Sequence, residues 1–328
     1  MSRVVVSIGA ALVAIAALAV AAMLSGNSPL DVVVMLADGS VGSAVSLRAT
    51  LVKSVPLLLT GLCVVIAFRA GAWNIGAEGQ FIAGAIAALL ASRFGVVASL
   101  VAAAIAGAGW ASIATLLRLW RNAPEVLTTI LLNFVAIHLL GWVVNGPLRE
   151  ESGRYPQTDA AEATLPRIGE IHSGLILAVG LAVAAWWLLY RTAEGLRLRA
   201  TGFNPAAATW SGVNVRAQIV RAMAMSGALA GIGGGIELLG VTNRLFERFA
   251  AGYGYAGIAV ALLAALHPIG SIVSAFFFGA LSAGAGELQR SAGISATIAT
   301  FGQAIVILAV VAAAAVAERR RSWRTSDV

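Results

Sequence analysis

The chain has 328 residues, of which 59% are hydrophobic and only 11% are charged, and its mean hydropathy is +0.90. This composition leaves too little polar surface for a water-soluble globule, so it predicts an integral membrane protein. The net charge of +7 fits arginine clusters beside membrane segments and contact with lipid, so no nucleic-acid partner is expected.

Long intervals without charged residues divide the chain into candidate transmembrane helices. The runs are rich in Ala, Leu, Val and Gly without alternation, which favours helices over a closed β-barrel. The predicted fold is therefore an all-α integral membrane protein, a single transmembrane domain over residues 1–328 with some glycine-broken helices. Ten spans are expected, near residues 4–24, 51–69, 74–92, 95–117, 126–146, 173–190, 217–239, 252–267, 270–286 and 295–317.

The ends of the chain and its arginines predict the topology. The first apolar run is longer than the roughly 7 to 15 residues of a secretory signal core, so an uncleaved first span is favoured over a signal peptide. The break between spans eight and nine is expected at "LHPIG", residues 266–270, because Pro and Gly end helices. Arginine clusters within 191–221 and 319–324 then predict that both termini face the cytoplasm.

The stretch "GAWNIGAEGQF", residues 71–81, places Asn74, Glu78 and Gln80 among three glycines. Glycines interrupt a helix, and an ionisable residue near membrane depth is costly unless it meets water or a partner. Two interpretations of Glu78 remain open. It either pairs with Arg69 or caps the start of span three, or it belongs with its neighbours to the polar lining of a translocation path.

Span five, "EVLTTILLNFVAIHLLGW" at 125–142, carries Thr128, Thr129, Asn133 and His138. Their spacing allows a shared broad helix face. The threonines are expected to bond their own backbone or to join helices. Asn133 is a candidate for the path as well as for helix packing.

The stretch "LRLRATGFNPAAATWSGVNV", residues 196–215, predicts a short separate helix. Asn204 suits its N-cap, Pro205 its first position and Gly212 the position past its end. The helix would present Phe203 and Trp210, as a surface that docks a partner does. A helix lying on lipid headgroups is the alternative. The flanking arginines are Arg197, Arg199 and Arg216.

Two later segments are rich in glycine. Gly227, Gly231 and Gly235 repeat at four-residue steps, which predicts close helix packing. Tyr253 and Tyr255 open span eight, where they serve either as interfacial aromatics or as substrate contacts.

The residue inventory argues against catalysis by this chain alone. Its one lysine, Lys53, follows Val52, so no phosphate-binding loop of the GxxxxGK[ST] type exists. Three scattered histidines and the single Cys63 predict neither a metal cluster, nor a nucleophilic Cys/His pair, nor a disulfide framework.

Several of these blocks together resemble the permease subunits of bacterial ATP-binding-cassette importers for nucleosides and simple sugars. They include "NIGAEGQ" from Asn74, "APEVLTTILLNFVA" from Ala123, "GFNPAAA" from Gly202, "MSGALAGIGGGIELLG" and "GYGYAGIAVALLA", and the similarity runs from about residue 50 to residue 310. The sequence departs from the family at Pro124, where Asn is frequent.

The resemblance implies a subunit of the inner membrane that binds no cofactor and leaves ATP and Mg²⁺ to a cytoplasmic ATPase. The ATPase would grip the helix near 204–211, and a second permease subunit, a paralogue or a second copy, would complete the path. An extracytoplasmic binding protein would deliver the substrate, a nucleoside or a simple sugar. An ion-coupled secondary transporter, which needs no ATPase, is the alternative class.

Overall fold

The computed structural model describes residues 28–151, 153, 155–250, 252–292 and 304–305. Within them the chain is mostly helical. The helices are α1 Pro29–Val41, α2 Ala44–Arg69, α3 Ala77–Ala91, α4 Val96–Arg121, α5 Glu125–Asn145, α6 Gly174–Arg191, α7 Ala193–Phe203, α8 Pro205–Trp210, α9 Val215–Glu237, α10 Tyr253–Leu263 and α11 Pro268–Ala292. A 3₁₀ turn, Ser92–Phe94, follows α3, and a π-helical turn, Leu238–Thr242, extends α9.

The bundle is organised around α2, which is buried along most of its length. It packs against α6, α9, α10 and α11, while α9 also packs against α3 and α4. Helix α5 covers α3, and α1 lies against α11. The broken segment between α2 and α3 is therefore enclosed by α5, α9 and α10.

The glycines of α9 bring three helices into close contact, as their spacing predicts. A Cβ atom on Gly227 would lie 2.3 Å from the carbonyl oxygen of Gly107 on α4, and one on Gly231 would lie 2.2 Å from that of Ala103. On α3, a Cβ atom on Gly84 would lie 2.3 Å from Gly231 Cα. Side chains at these positions would force the backbones apart, so the packing interpretation is confirmed.

Six of the expected spans coincide with helices that are long and apolar enough to cross a membrane, namely α2, α4, α5, α6, α9 with its π turn, and α11. The expected spans 74–92 and 252–267 are shorter helices, of 15 residues in α3 and 11 in α10. The break at "LHPIG" is present, with left-handed backbone at Ala265 and Leu266. Span 4–24, and span 295–317 apart from 304–305, lie outside the described residues.

The expected helical class is confirmed for the described residues, which are mostly helical. Apart from the helices, Arg167–Ile168 (β1) and Ile171–His172 (β2) pair as a small antiparallel hairpin that the sequence did not predict. The interval between the first two expected spans contains α1 and the start of α2. Residues 158–165 run along the end of α9: the N–H groups of residues 158, 161 and 165 donate to the carbonyl groups of residues 245, 243 and 239.

Candidate functional site

The chain reverses its direction between α2 and α3. Gly71 has a φ of 75°, and a Cβ atom on it would lie 3.1 Å from Gly202 Cα on α7. From there the chain runs without regular structure to Gly76. It runs back along α2, because Asn74 Nδ2 donates to Ser226 Oγ of α9 at 2.8 Å and lies 3.6 Å from Cys63 Sγ of α2. Helix α3 therefore begins inside the bundle instead of at its surface.

Asn74 and Gln80 hold this broken segment together. Asn74 Nδ2 donates to Gln80 Oε1 at 3.0 Å, and Gln80 Nε2 donates to Asn74 Oδ1 at 2.9 Å. The Gly76 N–H also donates to Asn74 Oδ1. Both side chains are fully buried. Their polar atoms thus supply the hydrogen bonds that an irregular backbone needs when it is buried away from water.

One face of α5 binds the broken segment from the other side. Glu125, Thr129 and Asn133 follow each other at four-residue steps, so they project in the same direction. They accept hydrogen bonds from three backbone N–H groups: Trp73 to Glu125 Oε2 at 3.1 Å, Ile75 to Thr129 Oγ1 at 3.4 Å, and Gly79 to Asn133 Oδ1 at 2.9 Å. Asn133 Nδ2 also donates to the Ile75 carbonyl group at 2.9 Å.

Of the four polar side chains of span five, this face includes only Thr129 and Asn133. Thr128 donates to the carbonyl groups of Pro124 and Glu125, in line with the expectation that it bonds its own backbone. His138 is exposed, so the predicted shared face of all four residues is wrong. Glu125, which sequence reasoning passed over, is also paired with Arg118.

Glu78 caps a different helix from the one it belongs to. Its Oε1 accepts from the Gly252 N–H at 2.9 Å and its Oε2 from the Gly254 N–H at 2.6 Å, at the start of α10. Gly254 has to be glycine, because a Cβ atom there would lie 2.1 Å from Glu78 N. A carboxylate at a helix N-terminus is favoured by the helix dipole and by the unpaired N–H groups.

Arg69 binds the opposite end of the same helix. Its Nε donates to the Leu266 carbonyl group at 2.9 Å and its Nη2 to that of Ala265 at 3.2 Å. The charged groups of Arg69 and Glu78 therefore lie at the two ends of α10 and complement its dipole. The expected direct pair of Glu78 with Arg69 is wrong. Glu78 does lie in the first turn of α3, as expected, but its carboxylate oxygens accept from N–H groups at the start of α10 instead of capping α3.

The two tyrosines of α10 have different environments. Tyr253 is half-buried, with its ring centroid 5.7 Å from that of Phe81 on α3. Tyr255 is 37% exposed, and its hydroxyl oxygen accepts from Asn133 Nδ2 at 3.2 Å. Among the candidates for a path, Tyr255 is the one that connects the buried polar cluster to the surface of the chain.

The predicted short helix is present as α8, six residues long. Asn204 Oδ1 accepts from the Ala207 N–H at 3.0 Å, Pro205 occupies the first turn, and Gly212 follows with a φ of 81°. The aromatic side chains at the two ends of this segment are exposed: Phe203, just before the cap, by 93%, and Trp210, the last residue of α8, by 92%.

Two charged groups on α7 anchor this region to the bundle. Glu194 accepts from Gln218 Nε2 at 3.0 Å and pairs with Arg221 and Arg197. The hydrogen bond from Gln218, followed by the two arginines, lowers the pKa of Glu194 below its usual value. Arg199 is half-buried and lies over the ring of Tyr190, with Cζ 5.0 Å from the ring centroid, so it does not flank α8 as an exposed cation.

Comparison with known proteins shows that most of the chain is similar to transport permeases. Residues 46–311 match the family described as "Branched-chain amino acid transport system / permease component". The glucose ABC transporter permease protein TsgB13 of Haloferax volcanii is 32% identical over 325 residues, covering 90% of this chain and 84% of that protein. The guanosine ABC transporter permease protein NupP of Bacillus subtilis is 31% identical over 331 residues, covering 96% and 95%.

A third relative comes from the same organism as the second. The guanosine ABC transporter permease protein NupQ of Bacillus subtilis is 30% identical over 251 residues, covering 70% of this chain and 78% of that protein. Among the described residues, no group of three or more His, Cys, Asp or Glu side chains could hold a metal ion. From its matched residues and its multi-pass helical architecture, the chain belongs to this family of permease components, the membrane subunits of ATP-binding-cassette transporters.

Proposed function

We propose that this chain forms the translocation path for a nucleoside in an ATP-driven importer of the bacterial inner membrane. Support for the substrate comes from NupP, which aligns with this chain over nearly the whole length of both proteins. A simple sugar is the second candidate, because TsgB13, named for glucose, is about as similar. The polar side chains along the proposed path would recognise the hydroxyl groups of either substrate.

The path is proposed to pass the start of α10. Irregular backbone and helix ends at membrane depth are tolerated where they line a cavity or are buried in protein. Here the exposed Tyr255 is hydrogen-bonded to the buried Asn133, and the buried Glu78 binds the backbone one residue before Tyr255. A half-helix held at both ends by charged groups can shift as one body, which would expose or cover those groups. Asn74, Gln80 and Tyr253 would support this site from within the bundle.

Coupling to ATP hydrolysis is assigned to α8, and the observation that carries this proposal is the exposure of Phe203 and Trp210. Two large aromatic side chains exposed by more than nine-tenths are costly in water, so they favour a docked partner. The partner would be a cytoplasmic ATPase that holds ATP and Mg²⁺. Asn204 and Pro205 would order the helix before docking, and Arg199 would hold α7 against the bundle.

Two further partners and an orientation complete the proposal. NupP and NupQ are two permease proteins of one organism with the same named substrate, which supports pairing of this chain with a paralogous second permease. A second copy of this chain is the alternative. An extracytoplasmic binding protein would deliver the substrate to the end of the bundle that carries residues 146–172, and both termini would face the cytoplasm.

The coupling element is tested by Trp210→Ala in the reconstituted complex. If Trp210 is a docking anchor, its loss should cost about 2 kcal/mol or more, or roughly thirtyfold in ATPase affinity. Substrate-stimulated ATP hydrolysis and uptake should fall together. Trp187→Ala removes another exposed tryptophan, from α6, and should leave both unchanged. Full stimulation and full uptake with Trp210→Ala would refute the role of α8.

The substrate is tested by uptake of labelled nucleosides and pentoses into cells that express the whole system. Competition by nucleosides, without competition by pentoses or hexoses, is the expected result. Competition by sugars alone would replace the nucleoside with a sugar. Uptake that persists without the ATPase and follows an ion gradient would instead support the ion-coupled class of transporter.

A further inference from the structure

A cavity of about 450 Å³ lies at the end of the bundle where α2, α7 and α10 finish. Its wall includes Phe68, Arg69, Leu196, Arg199, Phe203 and Leu266. We call it the basic cavity, because two of these residues are arginines and none of the lining residues in the described part of the chain is acidic. Apolar side chains supply the rest of the wall.

The two guanidinium groups are fixed around one aromatic ring. Arg69 Cζ lies 6.0 Å and Arg199 Cζ 5.0 Å from the centroid of Tyr190, and both residues line the same cavity. Two positive charges in one cavity favour the binding of an anion there. Arg199 Nε is buried, and within the described residues it has no hydrogen-bond partner. A buried donor without a partner is costly and points to a ligand that accepts from it.

The acidic residue of α7 does not neutralise this cluster. Glu194 is already bound to Gln218, Arg197 and Arg221 on another side of the helix. The basic cavity therefore receives no neutralising charge for Arg199 from Glu194. Its ligand should carry negative charge and oxygen acceptors for a guanidinium group.

The surroundings of the cavity are those of a membrane interface. The last turns of α6 carry Trp186, Trp187 and Tyr190 followed by Arg191, an aromatic belt that ends in a cation. Leu196, at the wall of the cavity, is 60% exposed. A ligand with an anionic head and apolar tails fits such a place better than a fully hydrated anion does.

We propose that the basic cavity binds the phosphate headgroup of an anionic phospholipid. Arg199 would donate to the phosphate oxygens through its unpartnered Nε, and Arg69 would add charge from the opposite wall. The acyl chains would leave past Leu196 toward the bilayer. The assignment rests on the proposed function for the choice of the cytoplasmic leaflet alone. The bound lipid would thereby contact Arg69, the residue that holds the end of α10.

The test uses the full chain, purified with its co-expressed partners, in nanodiscs of an equal mixture of phosphatidylglycerol and phosphatidylcholine. Native mass spectrometry counts the phosphatidylglycerol molecules that remain bound. Arg199→Gln should weaken retention about tenfold or more, since it removes the charge together with the hydrogen bond that the buried guanidinium group would donate to a phosphate oxygen. Arg197→Gln removes the same charge from an exposed position on α7 and should leave retention unchanged.

A second pair of variants keeps every existing polar contact. Leu196→Asp places a negative charge at the exposed wall of the cavity and should lower phosphatidylglycerol retention, whereas the neutral Leu196→Asn should not. Retention equal to wild type in both Arg199→Gln and Leu196→Asp would overturn the proposal. Loss of the co-purifying ATPase in these variants, with lipid retention intact, would also overturn it and would assign the cavity to an acidic side chain of the ATPase.

The outcome is separable from that of the proposed function. Trp210→Ala tests docking of the ATPase and leaves the basic cavity intact, so failure of the coupling proposal would not change lipid retention. Glycerol phosphate, which has the headgroup chemistry but no acyl chains, should displace the lipid poorly. If glycerol phosphate displaces the lipid at a concentration equal to that of phosphatidylglycerol, the cavity is a site for a soluble phosphate. That result would refute the proposal of a lipid ligand.

Discussion

Replacement of Glu78 by Gln tests whether the carboxylate holds α10 in place. Each carboxylate oxygen accepts one backbone N–H group, from Gly252 at 2.9 Å and from Gly254 at 2.6 Å. Gln keeps the size of the side chain but has a single acceptor oxygen, so its amide group would face one of the two N–H groups with its own donors. One buried N–H group is then left without a partner.

The magnitude follows from these two contacts. An unsatisfied buried donor costs about 1–3 kcal/mol. Loss of the negative charge at the helix N-terminus adds an amount that reaches about 2 kcal/mol in partly buried sites. A total of about 3 kcal/mol corresponds to roughly a hundredfold change in the equilibrium for local opening of α10.

Hydrogen exchange followed by mass spectrometry measures this opening directly. Peptides that cover α10, residues 253–263, should exchange about a hundredfold faster in Glu78→Gln, while peptides from α4 should keep their rates. Glu162→Gln, which changes an exposed glutamate, is the control. Unchanged exchange across α10 would refute the capping argument. If uptake then changed at normal expression, Glu78 would act on the substrate path, and unaltered uptake would reject both roles.

Two further predictions use the close contacts and the single cysteine. Gly254→Ala should strongly reduce the amount of folded protein, because its Cβ atom would lie 2.1 Å from Glu78 N; Gly180→Ala, with open space at its Cβ position, should not, and equal expression of both would contradict the close packing. The one native cysteine is buried, so Ala207→Cys and Asp159→Cys add single exposed thiols, and a membrane-impermeant reagent should label Asp159→Cys alone in intact cells. Labelling of both from the same side would refute the ten-span topology.

Local features of the fold could be predicted from the sequence. The cap and first turn of α8 are encoded within a few residues, from Asn204 to Ala207. The glycine steps of α9 likewise specify a smooth helix face whatever packs against it. In both cases the information lies within one element, so a single stretch of sequence was enough.

The contacts of Glu78 could not be predicted in this way, because its partners lie 174 and 176 residues further along the chain. A charged residue in an apolar sequence indicates that it has a partner, but it does not show which residue the partner is.

The missed role of Glu125 is different. Its four-residue spacing to Thr129 and Asn133 was visible in the sequence, but a glutamate at the expected start of a span is easily taken for a surface residue.

The shortness of α10 has a consequence for how the chain is inserted into the membrane. Eleven residues extend about 16 Å, roughly half of the hydrocarbon core, and the first N–H groups of the helix would face lipid if it entered alone. Glu78, on α3, supplies acceptors for two of them, and the start of α3 is in turn completed by Asn133 on α5. Helix α3 is therefore synthesised before α5, the helix that completes its start. Helix α10 can insert stably only into a bundle that already contains both α3 and α5. The two halves of this chain, if made as separate polypeptides, would have to meet in the membrane before the second half could adopt its fold.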